Sequence, residues 1–327
     1  MQFINNFRGI AILLVIFVHT IVTMGTSDSI FLYLLSEPLR NCTILFVVVA
    51  GYLFSFQLKD FNYKRFIISK MKTVVVPYIV ISIPAVLIYV LNLKSTHFWI
   101  DMDWFSKLNP VYQYIYLMIT GAHLGPLWFI PMIILFYLIS PIFIFIKNKN
   151  LLPLFFILSL LLALYLGREA SHASVILASL YFLPAYLFGL ILASNNKIYE
   201  KLKNYSTSAL IIYIICYWIL SYNFEVSTAV DLPLKLLLSV IVLSFCSRFL
   251  NKKNKILDMF ARLSFFLFFV HGYFVAALKM VSSKVDLQSL GFISPFLAFI
   301  FVIFMSLAVF VLIKLIFHDN SKKWVGI

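Results

Sequence analysis

Apolar runs long enough to cross a membrane recur along the whole chain, at about 9–26, 39–57, 73–93, 126–146, 151–167, 174–194, 206–222, 232–250, 259–280 and 292–317. A hydrocarbon core of about 30 Å takes roughly 17 to 25 helical residues to cross. The runs are continuously apolar and lack the alternating pattern of barrel strands, so they predict helices. The expected fold is all-α, a polytopic bundle of about ten transmembrane helices. Composition agrees, with 63% hydrophobic and 12% charged residues, against about 25% charged in an ordinary soluble domain. No water-facing surface of normal size can be built from such a chain, so its surface faces membrane lipid.

Every second loop between these runs is basic. One set holds Lys59, Lys64, Arg65, Lys70 and Lys72, then Lys147 and Lys149, then Lys197, Lys201 and Lys203, then Arg248, Lys252, Lys253, Lys255 and Arg262. With Arg8 at one end and Lys314, Lys322 and Lys323 at the other, this side collects 19 of the 26 Lys and Arg residues. Arg40, Lys94, Lys107, Arg168, Lys235, Lys279 and Lys284 make up the other side. The positive-inside rule then sets both termini in the cytosol and the chain in a cytoplasmic (inner) membrane. Orientation accounts for most of the net charge of +14, with a smaller share left for an anionic ligand on the cytosolic side. There is no soluble basic domain to bind nucleic acid.

No repeat or composition shift divides residues 1–327, which read as a single membrane-embedded domain. Cys42, Cys216 and Cys246 fall inside the apolar runs without metal spacing and read as buried fillers, so neither a disulfide frame nor a metal site is expected. The first run has an Arg ahead of it and small residues near Gly25, as a cleaved leader would, but His19 within its apolar core marks a retained helix. The longest segment between runs, about 94–125 on the outer side, carries an apolar stretch from Tyr112 to Thr120. It is too short to span, which suits a re-entrant or interfacial helix, or an amphipathic cap on the bundle.

Chemistry is sought where ionisable groups lie within the membrane, because they are costly there and usually retained for function. His19 follows Arg8 by eleven residues, which returns to the same helix face within about 20°, roughly 16.5 Å further along the axis. Ala11 and Val15 share that stripe. His271 lies at comparable depth in the ninth run, with Ser264 one heptad earlier on its face. The ordinary role of one intramembrane histidine is a packing hydrogen bond, but two at similar depth, one aligned with an arginine, favour chemistry. A neutral imidazole serves as a general base. Arg8 is permanently charged and suits phosphate or a developing oxyanion, although an arginine at a cytosolic helix end also obeys the orientation rule.

The segment from Phe7-Arg8-Gly9-Ile10-Ala11 through Val15 to His19 resembles the first helix of acyltransferase family three, whose hallmark is an Arg, ten residues and a His. The resemblance continues in order. Phe46 to Phe54 resembles the segment ending in a small residue, Gly and an aromatic. Lys64-Arg65, Lys70, Lys72 and Pro77-Tyr78 resemble a basic stretch leading to Pro-aromatic. Leu127-Trp128-Phe129 through Tyr137 to Pro141 resembles a Leu-Trp-aromatic helix, and Leu263-Ser264-Phe265 through His271 a late Ser-Phe-to-His segment. Where the family often has Arg, this chain has Lys64 and Lys70, and no further His occurs in Thr20 to Thr26.

The resemblance implies a membrane O-acyltransferase that moves an acyl group, most often acetyl, from acyl-coenzyme A to a sugar hydroxyl of a bacterial surface polysaccharide or its lipid-linked precursor. No permanently bound cofactor is implied, since the acyl-coenzyme A is a substrate. The expected roles are Lys64, Arg65, Lys70 and Lys72 with Arg8 for donor phosphates, and His19 as base or transient acyl carrier. His271, Arg262, Trp128 and Ser264 rank second. The competing reading is a flippase or polymerase of the same pathway, against which stand the lack of internal repeats and the modest size of the longest outer loop.

Overall fold

The computed structural model describes residues 2–25, 30–58, 61–97, 99–168, 174–224, 226–285 and 287–318. Lys59, Lys322 and Lys323 of the basic loops lie outside the described residues. The described residues form helices in the order α1 Gln2–Met24, α2 Ile30–Ser36, α3 Thr43–Phe56, α4 Tyr63–Lys70, α5 Val76–Val90, α6 Met102–Ser106, α7 Pro110–Thr120, α8 Phe129–Leu138, α9 Ser140–Asn148, α10 Leu152–Leu166, α11 Val175–Ser194, α12 Lys197–Leu202, α13 Ser206–Asn223, α14 Thr228–Phe249, α15 Lys255–Arg262, α16 Ser264–Ser282 and α17 Ser294–Phe317. No strand occurs among them.

Among the described residues, eight helical stretches are long and apolar enough to cross a membrane by themselves. Pro110–Thr120 and Gly125–Leu138 qualify as a pair, bent by 76° at a short break, and Leu152–Leu166 is a shorter apolar helix. Together they account for the apolar runs of the sequence. The chain is a multi-pass membrane protein. Ile211, Ile215 and Ile219 on α13 and Ile300, Phe304, Val311 and Leu315 on α17 stay exposed in the isolated chain, as lipid-facing side chains must. Cys42 and Cys246 are buried as expected, whereas Cys216 is exposed on α13 beside those isoleucines.

The first helix is the hub, packing against α3, α14, α15, α16 and α17. Two close backbone approaches fix the neighbours of the site. A Cβ on Gly9 would lie 2.4 Å from the Leu257 carbonyl oxygen, so glycine there is what lets α15 lie directly on α1. Helices α3 and α11 cross through Gly51 and Gly189, where a Cβ would come within 2.0 Å of the Tyr186 oxygen and 2.1 Å of the Val48 oxygen respectively. Small residues at such crossings let helices meet where lipid gives no hydrophobic drive between them.

The segment between α5 and α8 is tied down by two histidines. His97 donates from Nε2 to the Ala122 carbonyl at 2.9 Å, while its Nδ1 accepts from the amides of Trp99 and Ile100. Burial holds this imidazole below the ordinary histidine range, which keeps Nδ1 free to accept. His123 donates from Nδ1 to the Leu117 carbonyl and accepts from the Ser82 hydroxyl at 2.7 Å, fastening the α7–α8 break to α5. The stretch Tyr112 to Thr120 lies within α7, the first arm of that bent pair.

Candidate functional site

Arg8 sits where α1 meets the start of α16. The approach of α15 at Gly9 brings the first residue of α16 against α1, and Arg8 Nη2 donates to Ser264 Oγ at 3.0 Å. A bond between residues 256 apart uses the hydroxyl of a helix's first turn, where Ser is favoured because it competes poorly inside a helix. Across from this pair, the end of α4 delivers Lys70, whose ammonium lies 5.0 Å from the Tyr137 ring centroid and 5.3 Å from that of Phe66. Lys70 and Tyr137 are both within Coulombic reach of Arg8. A wider, π-type turn over Met71–Val75 joins α4 to α5, a geometry frequent at functional positions.

These residues line a cavity of about 270 Å³. Its wall is built from Arg8, Lys70, Ser264, Gln57, aliphatic residues of α3 and α8, and rings from α3, α4, α8, α11 and α16. None of the lining residues is acidic. Two cations held close together without a carboxylate need an anion to offset them, and the low polarity of the rings strengthens that attraction. The cavity therefore suits an anionic ligand with an apolar arm.

The rings of Phe46, Phe129 and Phe268 form one part of the wall. Phe268 lies 5.1 Å from Phe129 and 6.3 Å from Phe46, centroid to centroid. His271, outside the lining, has its ring 5.8 Å from that of Phe268. His19 pairs with it, centroids 5.3 Å apart and rings inclined at 56°. His271 Nδ1 donates to the Leu267 carbonyl at 2.9 Å. The two histidines that the sequence placed at similar depth thus meet in space.

The remaining expected residues separate. Lys64, Arg65 and Lys72 are exposed and lie outside the cavity wall. Arg262 is exposed and paired with Asp258 at 3.2 Å. Trp128 is buried, stacked on Phe182 at 5.3 Å, with the Arg168 guanidinium over both rings.

Arg168 belongs to a network that sequence reasoning missed. It donates to Asn41 Oδ1, Asn41 donates to Asp231 Oδ2 at 2.5 Å, and Tyr217 donates to Asp231 Oδ1 at 3.0 Å. Lys235, wholly buried, lies 3.7 Å from Asp231 and donates to the Pro38 carbonyl at 2.6 Å. Arg168 also comes within Coulombic reach of His19, so the network lies near the histidine pair. The available signal was Asp231 and Lys235 four residues apart, one turn of helix, at the start of an apolar run.

Comparison with known proteins gives one family. A model described as an acyltransferase domain matches residues 1–315, nearly the whole chain. The chain belongs to acyltransferase family three and is a membrane acyltransferase. No curated protein matches it, and no solved structure does.

Proposed function

We propose that this member of acyltransferase family three moves an acyl group, acetyl in the simplest case, from acyl-coenzyme A to a sugar hydroxyl of a bacterial surface polysaccharide or its lipid-linked precursor, in the cytoplasmic membrane. The observation that carries this reading is the distance between the cationic cavity and the histidine pair. Arg8 and His19 are eleven residues apart on one helix, or roughly 16.5 Å along its axis. The pantetheine arm of coenzyme A, from pyrophosphate to sulfur, is about thirteen bonds, and at roughly 1.2 Å of advance per bond in an extended chain it reaches about 16 Å. Phosphates held by Arg8 and Lys70 put the thioester at His19.

In this mechanism His19 takes the proton of the acceptor hydroxyl as that oxygen attacks the thioester carbonyl. The C–O bond forms, the C–S bond breaks, and the thiolate leaves with the proton from His19. Sugar ester and free coenzyme A thiol are the products. Both Lys70 and Arg8 act by holding the donor, and the aromatic wall keeps water from the thioester until Phe268 moves aside.

The test is transfer of label from acetyl-coenzyme A to glycan in membranes carrying the protein at matched abundance. General-base assistance is worth about 10²- to 10⁴-fold, so His19→Ala should leave little transfer. His19→Gln keeps polarity but cannot take the proton, and should be about as inactive. Near-normal transfer by His19→Gln would remove His19 as base. If the unaltered protein transfers no label from any acyl-coenzyme A, the reading itself fails.

A further inference from the structure

His271 is fully enclosed in α16. Its Nδ1 contacts a carbonyl oxygen, that of Leu267, which can only accept, so the ring proton is on Nδ1 and Nε2 carries a bare lone pair. That Nε2 is buried and has no hydrogen-bond partner. Unmet acceptors in an apolar interior are rare and call for an explanation. Its neighbours narrow the choice. Phe268 offers only a ring. His19 is the polar side chain whose ring is in contact. Two imidazoles joined nitrogen to nitrogen have centroids about 5.1 Å apart, from two ring radii of about 1.1 Å and a bond of about 2.9 Å. The observed 5.3 Å meets that spacing.

We propose that His271 is the positioning residue for His19. Its Nε2 accepts the ring N–H of His19, which fixes the tautomer and leaves the other His19 nitrogen bare toward the acceptor hydroxyl. When His19 takes the hydroxyl proton, His271 keeps holding the second N–H of the resulting imidazolium. The proton then goes from His19 to the departing thiolate, and His271 ends the cycle unchanged. The backbone bond to Leu267 serves this role by holding the His271 proton on the far nitrogen. This inference rests on the proposed role of His19 as base.

The experiment measures initial transfer rates over a range of acetyl-coenzyme A concentrations for His271→Leu, His271→Gln, His19→Gln and the double variant His19→Gln/His271→Leu, at matched membrane abundance. Removing an outer partner of this kind lowers activity about 10- to 100-fold. His271→Leu should show that loss in kcat, with KM for the donor moved less than about twofold. His271→Gln, whose amide oxygen reaches the position of Nε2, should recover much of it, and it provides the comparison if the Leu variant accumulates poorly. Because His271 acts through His19, the double variant should be no less active than His19→Gln alone. The proposal is overturned if the two losses multiply, if KM moves in place of kcat, or if Gln is as inactive as Leu. Near-normal activity in His19→Gln alone would sink the role of His19 as base, an outcome separate from the behaviour of His271→Gln.

Discussion

Adding one methyl group at Gly51 should damage both the fold and the cavity. The Cβ of Gly51→Ala falls 2.0 Å from the Tyr186 carbonyl oxygen, whereas ordinary contact begins at 3.4 Å. The obstruction is helical backbone on both sides, so no side chain can rotate away, and α3 and α11 must part by about 1.4 Å at their crossing. Overpacking of this kind costs about 1 to 3 kcal/mol, and a rigid obstruction belongs at the upper end, about 3 kcal/mol. Because α3 contributes Phe46, Val49, Ala50, Leu53 and Phe54 to the cavity wall and α11 contributes Tyr186, the separation also deforms the donor site. Thermal unfolding in detergent should show a Tm lowered by several degrees, with transfer activity reduced in surviving protein. Gly125→Ala is the control, since its Cβ would meet no atom within 4 Å, and its stability should change by no more than about 0.5 kcal/mol. A Gly51→Ala protein as stable and active as the parent, or an equal loss in Gly125→Ala, would refute the argument.

Two further perturbations separate residues by their surroundings. Lys70→Gln should raise the donor KM about tenfold or more, as expected for a charge-assisted contact in a shielded wall, and added salt should change this little. Neutralising the exposed Lys64, Arg65 and Lys72 together should have a smaller effect that fades with salt, and a larger effect from the trio would return the donor site to the loop surface. Asp231→Asn leaves Lys235 buried without its counter-charge and should destabilise the bundle by about 3 to 5 kcal/mol, while Asp231→Asn with Lys235→Met should be milder. Equal stability of the single and double variants by thermal unfolding would show that the pair is not coupled.

The spans were legible because each is specified locally, by some twenty apolar residues in a row. The bend between α7 and α8 was legible in part, since Tyr112 to Thr120 was too short to cross. Arg8 and His19 could be aligned because they share one helix and its period is known. Contacts between helices could not be read. Nothing in the chain order says that Gly9 admits α15 and so delivers Ser264 to Arg8, or that of four basic residues on α4 and the turn after it, Lys70 is the one carried into the cavity wall. The pairing of His19 with His271 was suggested by depth, but their shared azimuth depends on how α1 and α16 rotate against each other. Lys235 was counted with the outer loop charges because a lysine near a helix end usually reaches for water, whereas here Asp231 and the Pro38 carbonyl hold it inside.

The rings of Phe46, Phe129 and Phe268 bear on the movement of charge through a membrane. A membrane that stores energy as an ion gradient holds about 2.3 kcal/mol per elementary charge for each 100 mV across it. Arg8 and Lys70, the two histidines, and Arg168, Asp231 and Lys235 put proton-exchanging and charged groups within the bundle, the raw material of a conductive path. Benzyl side chains neither donate nor accept protons, and Phe268, which lines the cavity and packs on His271, sets one between the first group and the second. Hydrocarbon at that contact offers no proton relay, which is what polar chemistry inside a bilayer requires wherever such a gradient is held.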